Sequence, residues 1–334
     1  MLIGLVAVLA AQVGLGVAVE TVKPEWRDPE YGHRLNQLRH LKESHPDRPL
    51  VLAIGSSRTQ MGLSPADMGF ADAPGSPLVY NFGQAGAGSL RILLTLLRVL
   101  DAGVKPDYVL IEWFPIALAA DGPAEEQAKG WAPWLGLADV RRLAPHCDRP
   151  LVLGGRWATS RIDPWYVYRL TLMSHWQPGW LRWQDRLTYQ WDQLDRFGWL
   201  PYPAETVSDE VRATGIEAVR KQIAATLLHF RVGAASDHVL RDLLTRCRNE
   251  CIPVAFYTTP EGPTVRSFYQ PAGRAELSAY AATLSREYGV PLFDASDGFA
   301  EVEFADGHHL LRSGAARFSR RLADEYLRGW VKEQ

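Results

Sequence analysis

The chain has 334 residues, 47% of them hydrophobic and 22% charged, which is enough to bury one large α/β core or two small ones and is ordinary for a globular protein. A formal net charge of -2, with no lysine or arginine run, gives nucleic-acid binding no support. Three cysteines, Cys147, Cys247 and Cys251, make neither a disulfide framework nor a metal quartet.

Residues 1–19 carry no charge and approach the ~20 residues needed to cross a bilayer. No basic region opens this stretch, which favours an uncleaved anchor or an incomplete N-terminus over a cleavable signal. Residues 20–48 are polar, contain proline and read as a stalk with a short amphipathic helix at 35–41. Beyond it come apolar runs of three to five residues, at 50–54, 78–82, 108–111, 254–257 and 291–293, each bounded by turn residues. Runs of this kind mark parallel strands buried on both faces. Helical patterns at 89–101, 236–250 and 275–288 lie between them, with serine at the start of the first two and glycine just beyond the first and last. Alternating strand and helix predict a parallel sheet with right-handed crossovers. The third and fourth runs are separated by about 140 residues, far more than one crossover helix needs, so 116–235 reads as an insertion. It holds nine of the twelve tryptophans, at 131, 134, 157, 165, 176, 180, 183, 191 and 199. The expectation is that most form the core of a helical cap; the other reading makes them stacking platforms for sugars or a membrane-facing surface.

Open parallel sheets bind ligands at the carboxyl ends of their strands. There this chain places Ser57 and Arg58 after the first strand, Asn81 and Gly83 at the second, Glu112 at the third, Glu261 and Arg266 after the fourth, and Asp306 and His309 after the fifth. A serine needs a base within reach and a carboxylate to orient that base. Gly55 permits a tight turn ahead of Ser57, and Asp306 and His309 are separated by two residues just before a helix. His308 is the competing base. Glu112 reads as an ion-pair partner of Arg58 or a ligand for a substrate hydroxyl, and Arg266 as a group that holds an anionic or polyhydroxylated substrate.

The order Ser…Asp…His with this close Asp–His spacing resembles the SGNH (GDSL-like) hydrolase and acyltransferase superfamily. The segments 50–115 and 236–330 carry the resemblance, and the membrane-anchored SGNH-like branch is the part it looks most like. The family's first motif, glycine-aspartate-serine, appears as Gly55-Ser56-Ser57, its second glycine as Gly83, and its third-motif asparagine is absent, because Ile111-Glu112-Trp113 stands there. The resemblance implies a three-layer α/β/α, flavodoxin-like five-stranded sheet over 49–334, interrupted by the Trp-rich helical insertion. It also implies catalytic Ser57, Asp306 and His309, with an oxyanion held by the amides of Ser57 and Gly83; one further donor is unassigned. The expected activity is hydrolysis or transfer of acyl esters on a glycan or similar polyhydroxylated substrate, with no cofactor and no metal. The alternative is an inactive glycan-binding or scaffold module. Lys23, Arg27, Arg34 and Arg39 would keep the flank of the membrane segment cytoplasmic by the positive-inside rule, whereas the resemblance places the domain outside the cytoplasm, which is the expectation adopted.

Overall fold

The computed structural model describes residues 2–70, 75–120, 122, 126, 130–147, 149–182, 185–186 and 193–333. Trp183 and Trp191 of the expected Trp-rich segment therefore lie outside the described residues. The chain divides into two compact units, one comprising 1–37 and 127–193 and the other 38–126 and 194–334.

The larger unit contains one sheet of five strands, β1 (Leu50–Gly55), β2 (Leu78–Gly83), β3 (Tyr108–Glu112), β4 (Val254–Thr258) and β5 (Leu292–Asp294), in the order β2-β1-β3-β4-β5 and parallel throughout. The fifth begins one residue later than the apolar run predicts, at Leu292 rather than Pro291. Proline has no amide to give to a ladder. Every residue of β1 and β2 is buried, and the reason is the two-sided packing that continuous apolar runs require. Alternate side chains divide between the faces. Val51, Ala53, Val79, Leu110, Ala255 and Phe293 join one cluster with Phe318 and Leu322 of a C-terminal helix. On the other face Ile111 and Phe256 line a common interior with Ile92, Leu240 and Leu243 from two further helices. Helices on both faces make the fold a three-layer α/β/α arrangement.

In chain order the helices used below are α1 (Leu2–Val17), α2 (Ser57–Gly62), α3 (Ser89–Asp101), α4 (Pro150–Thr159), α5 (Pro164–Trp176), α6 (Asp209–Leu228), α7 (Ala234–Asn249), α8 (Pro271–Tyr288) and α9 (Arg312–Leu322). The expected stalk is itself helical over Pro29–Ser44. Helix α8 ends where Gly289 turns left-handed at φ 71°, a conformation that costs glycine nothing. Helix α6 and Trp199, both within 116–235, belong to the sheet-bearing unit, whereas tryptophans 131 to 180 belong to the smaller one.

The smaller unit corrects the expectation that its tryptophans are core. Trp131 is buried, but Trp134, Trp165, Trp176 and Trp180 are 40%, 55%, 58% and 77% exposed. Helix α5 packs Tyr168 and Leu172 against Val19, and Trp165 and Trp176, three residues before the first and four after the second, continue the same stripe at its two ends with much of each indole still exposed. The segment Leu2–Val22 is helical, long and apolar enough to cross a membrane.

Candidate active site

The peptide leaves β1 through Gly55 and Ser56 and enters α2 at Ser57. Ser56 caps that helix, its hydroxyl accepting the Arg58 amide at 3.2 Å. Along 50–60 every residue is buried except Ser57, so the turn presents one hydroxyl outward. Glycine is required at the two close approaches that make this possible. A Cβ at Gly55 would lie 2.0 Å from Thr59 Oγ1 and 2.5 Å from Glu112 Oε2, and one at Gly83 would lie 2.4 Å from the Gln60 backbone nitrogen.

Glu112, at the end of β3, holds the turn from beneath. Its Oε2 accepts the Ser56 amide at 2.6 Å and the Thr59 hydroxyl at 2.8 Å, while Oε1 accepts Thr259 Oγ1 at 3.2 Å. Arg58 Nε lies 3.7 Å from the same carboxylate, so the ion-pair reading of Glu112 describes its position. The Arg58 guanidinium also donates to Glu261 at 2.9 Å and to the Thr259 carbonyl at 2.8 Å, and Glu261 accepts the Tyr269 hydroxyl at 2.9 Å. Burial alone would lower the Arg58 pKa, but Glu261 and Glu112 outweigh it and hold the guanidinium charged.

Three expected substrate ligands are thereby reassigned. Arg58, Asn81 and Glu112 are 3%, 0% and 4% exposed and spend their polar atoms on the frame of the turn. Asn81 gives its side-chain amide to the carbonyls of Thr59 and Leu63, at 2.8 and 2.7 Å, and its Oδ1 accepts the Gly83 amide at 2.8 Å. The last bond also corrects the assignment of Gly83 as an oxyanion donor. Its N–H is committed inside the protein, and its glycine identity serves the packing of α2. Glu261 and Arg266 do reach an open cavity of about 310 Å³, which Trp113, Tyr269 and Asp294 help to line.

The partner of Ser57 comes from a loop after β5. An antiparallel bridge pairs Phe304 with Leu310, and Gly307 takes φ 83° at the tip between them. Across that turn Asp306 Oδ1 accepts the amides of His308 and His309, at 3.1 and 2.8 Å, and Oδ2 lies 2.7 Å from His309 Nδ1. His309 Nε2 is 2.8 Å from Ser57 Oγ. A carboxylate only accepts, so Nδ1 carries the proton and Nε2 is left to accept the Ser57 hydroxyl. Burial by itself would raise the Asp306 pKa, but the hydrogen bond and charge of His309 prevail and hold the carboxyl well below its usual range. His308 stands edge-on to His309, with ring centroids 4.1 Å apart; burial, then the His309 and Arg58 charges, push its pKa well below 6.5. His308 is thus held neutral beside the array rather than within it. Asp306, His308 and His309 bring ligand-type atoms within 4.8 Å of one another, but a cation there would have to displace the bonds His309 makes to Ser57 and Asp306.

Residues of α6 complete the support, and nothing local in their sequence announces it. Arg212 Nε donates to the Phe304 carbonyl at 3.0 Å, and Gly215 faces Asp306 so closely that a Cβ would lie 2.7 Å from the aspartate Cβ. Trp199 donates its indole N–H to the Met61 carbonyl of α2 at 2.8 Å.

The fold and site together define an α/β protein whose outward serine is hydrogen-bonded to a histidine–aspartate pair at the carboxyl ends of the strands. No protein-family model matches the sequence. No curated protein matches it either. Among solved structures the chain is similar to a Bacteroides fragilis NCTC 9343 protein provisionally described as an acylhydrolase, at 10% identity over 87% of this chain and 94% of that one, with a TM-score of 0.37. It is also similar to a Streptococcus pneumonia protein provisionally described as a platelet activating factor, at 13% identity over 92% and 98% of the two chains, with a TM-score of 0.36. The chemistry is therefore read from the side chains themselves.

Two measurements check the site. Gly215→Ala would stabilise an ordinary helix interior by about 1 kcal/mol, yet here the new methyl must displace Asp306, and the urea midpoint should fall rather than rise. Asp306→Asn addresses the lowered carboxyl. A folded pKa below the unfolded one, about 3.9, contributes stability that is fully present above that pH and is lost as pH falls toward the folded value. In urea titrations the wild type should exceed the variant in stability at pH 7, and the gap should begin to narrow below about pH 4 and shrink further as the pH falls.

Proposed function

We propose that the protein is a serine-dependent esterase or O-acyltransferase of SGNH type, acting on acyl esters of a glycan or similar polyhydroxylated substrate. The observation that carries the proposal is the continuous chain of hydrogen bonds from Ser57 Oγ through His309 to Asp306. Ser57 Oγ attacks the acyl carbonyl while His309 Nε2 takes its proton, and the resulting imidazolium is stabilised by the Asp306 carboxylate. The proton then passes to the departing alkoxide, leaving an acyl-serine. Water, or a sugar hydroxyl deprotonated by the same nitrogen, attacks that ester and releases Ser57.

Ser57 opens α2, so its amide has no carbonyl one turn back and is free in geometry to donate to the oxyanion. Glu261 and Arg266, at the 310 Å³ cavity, are the remaining candidates for binding substrate hydroxyls. The committed amide of Gly83 and the carboxylate of Glu112 in place of the family's asparagine favour the second reading, an inactive glycan-binding or scaffold module. Residues 2–22 would anchor the protein in a membrane with the sheet-bearing unit outside the cytoplasm.

The two readings separate in one assay. Full-length protein in detergent or nanodiscs should release p-nitrophenol from a short acyl ester. Ser57→Ala and His309→Ala should each lower kcat by on the order of a thousandfold or more, and His308→Ala should retain most of it. Equal rates in wild type and Ser57→Ala would leave the binding-module reading standing.

A further inference from the structure

The smaller unit exposes apolar side chains that water does not favour. Helices α4 and α5 follow one another through the turn at 160–163, and Leu151 at the start of α4, Ile162 in the turn, and Trp165 and Tyr166 at the start of α5 are 90%, 77%, 55% and 61% exposed. Each such side chain forgoes about 1.5–3 kcal/mol relative to burial, and soluble surfaces rarely gather them into one patch.

The position of α5 against α1 says what covers these side chains. Gln12, in the middle of the apolar span Leu2–Val22, donates to Asp163 Oδ1 at 2.9 Å and accepts the Trp165 amide at 3.1 Å. Further along, Val19 packs on Tyr168 and Leu172, and Trp26 meets His175 and Trp176. Helix α5 therefore runs parallel to the second half of the span. Its N-terminus lies beside a residue ten positions from Val22, about 15 Å along a helix and close to half the thickness of a bilayer's hydrocarbon core.

Polar groups around the start of α5 also have partners within the protein, as a lipid setting favours. Asp163 accepts from Gln12 and from the Tyr166 amide at 3.0 Å. The Arg161 guanidinium bonds Glu20 at 3.0 Å and the Tyr168 hydroxyl at 2.8 Å. The Arg169 guanidinium lies 3.9 Å over the Tyr166 ring. Trp26 and Trp176 meet at the other end, and amphipathic aromatics are enriched where a span leaves the hydrocarbon.

From this we infer that α5 and the turn before it are seated in one leaflet of the membrane alongside α1, with lipid acyl chains against Ile162, Trp165 and Tyr166. The inference rests on reading Leu2–Val22 as a span. It adds a second, non-spanning membrane element from a segment far away in sequence.

Full-length protein in phosphatidylcholine–phosphatidylglycerol nanodiscs, photolabelled with a diazirine on the lipid acyl chain and mapped by mass spectrometry, tests it. Label on both 2–22 and 150–180 is the expected result. Label confined to 2–22 overturns the seat of α5 while leaving the anchor intact, and label on neither removes both. Protection of 150–180 in nanodiscs shown to hold two copies would assign the patch to self-association and also overturn the inference. Ile162→Asp should reduce the label on 150–180 at least fivefold while Ile162→Leu preserves it, with ester hydrolysis unchanged in both. Unchanged label in Ile162→Asp would contradict the seat.

Discussion

The site depends on one buried carboxylate. Glu112 stands at the end of the central strand β3 and accepts from Ser56, Thr59 and Thr259, so three segments meet on a single side chain. Hydrogen bonds to a charged group contribute about 1.5–3 kcal/mol each, and a buried carboxylate without partners costs several kcal/mol. The carboxylate and the glycine turn are thus mutually dependent. Without Gly55 there is no room for Glu112 beneath the turn, and without Glu112 nothing fixes the Ser56 amide or Thr59. Arg58 extends the same frame to Thr259 and Glu261 after β4. Its neighbour Ser57 is the one residue of the segment left to face outward.

Much of this was legible because it is local. The apolar runs fall on the five strands because strands buried on both faces admit no polar interruption. Asp306 and His309 could be paired from spacing, since a left-handed glycine between them lets the carboxylate reach both the imidazole and the backbone amides. What spacing could not reveal is which backbone amides are already occupied. Gly83 is where a motif glycine was expected, but its amide bonds Asn81 and its missing side chain makes room for Gln60. Long-range support was equally hidden. Gly215 in mid-helix reads as a mild weakness of α6, and only contact with Asp306 explains why glycine stands there.

The tryptophans expose a limit of composition. Large aromatics fill cores when a subdomain has a core to fill, and in the smaller unit that interior is shared among Val19, Tyr168, Leu172 and their neighbours. Trp134, Trp165, Trp176 and Trp180 remain exposed, Trp165 at the end of α5 that meets the middle of α1. A helix with apolar residues on both faces satisfies one against protein and the other against lipid, and a sequence pattern alone does not distinguish the two.

The central claim is that Ser57 is activated by His309 through the geometry seen here. Its most direct measurement is covalent trapping with a fluorophosphonate, which reacts with an activated serine and adds a defined mass. The account predicts a single adduct on the peptide containing Ser57, formed in the wild type and lost in His309→Ala. An adduct on a different serine, or one that forms equally fast without His309, would contradict it.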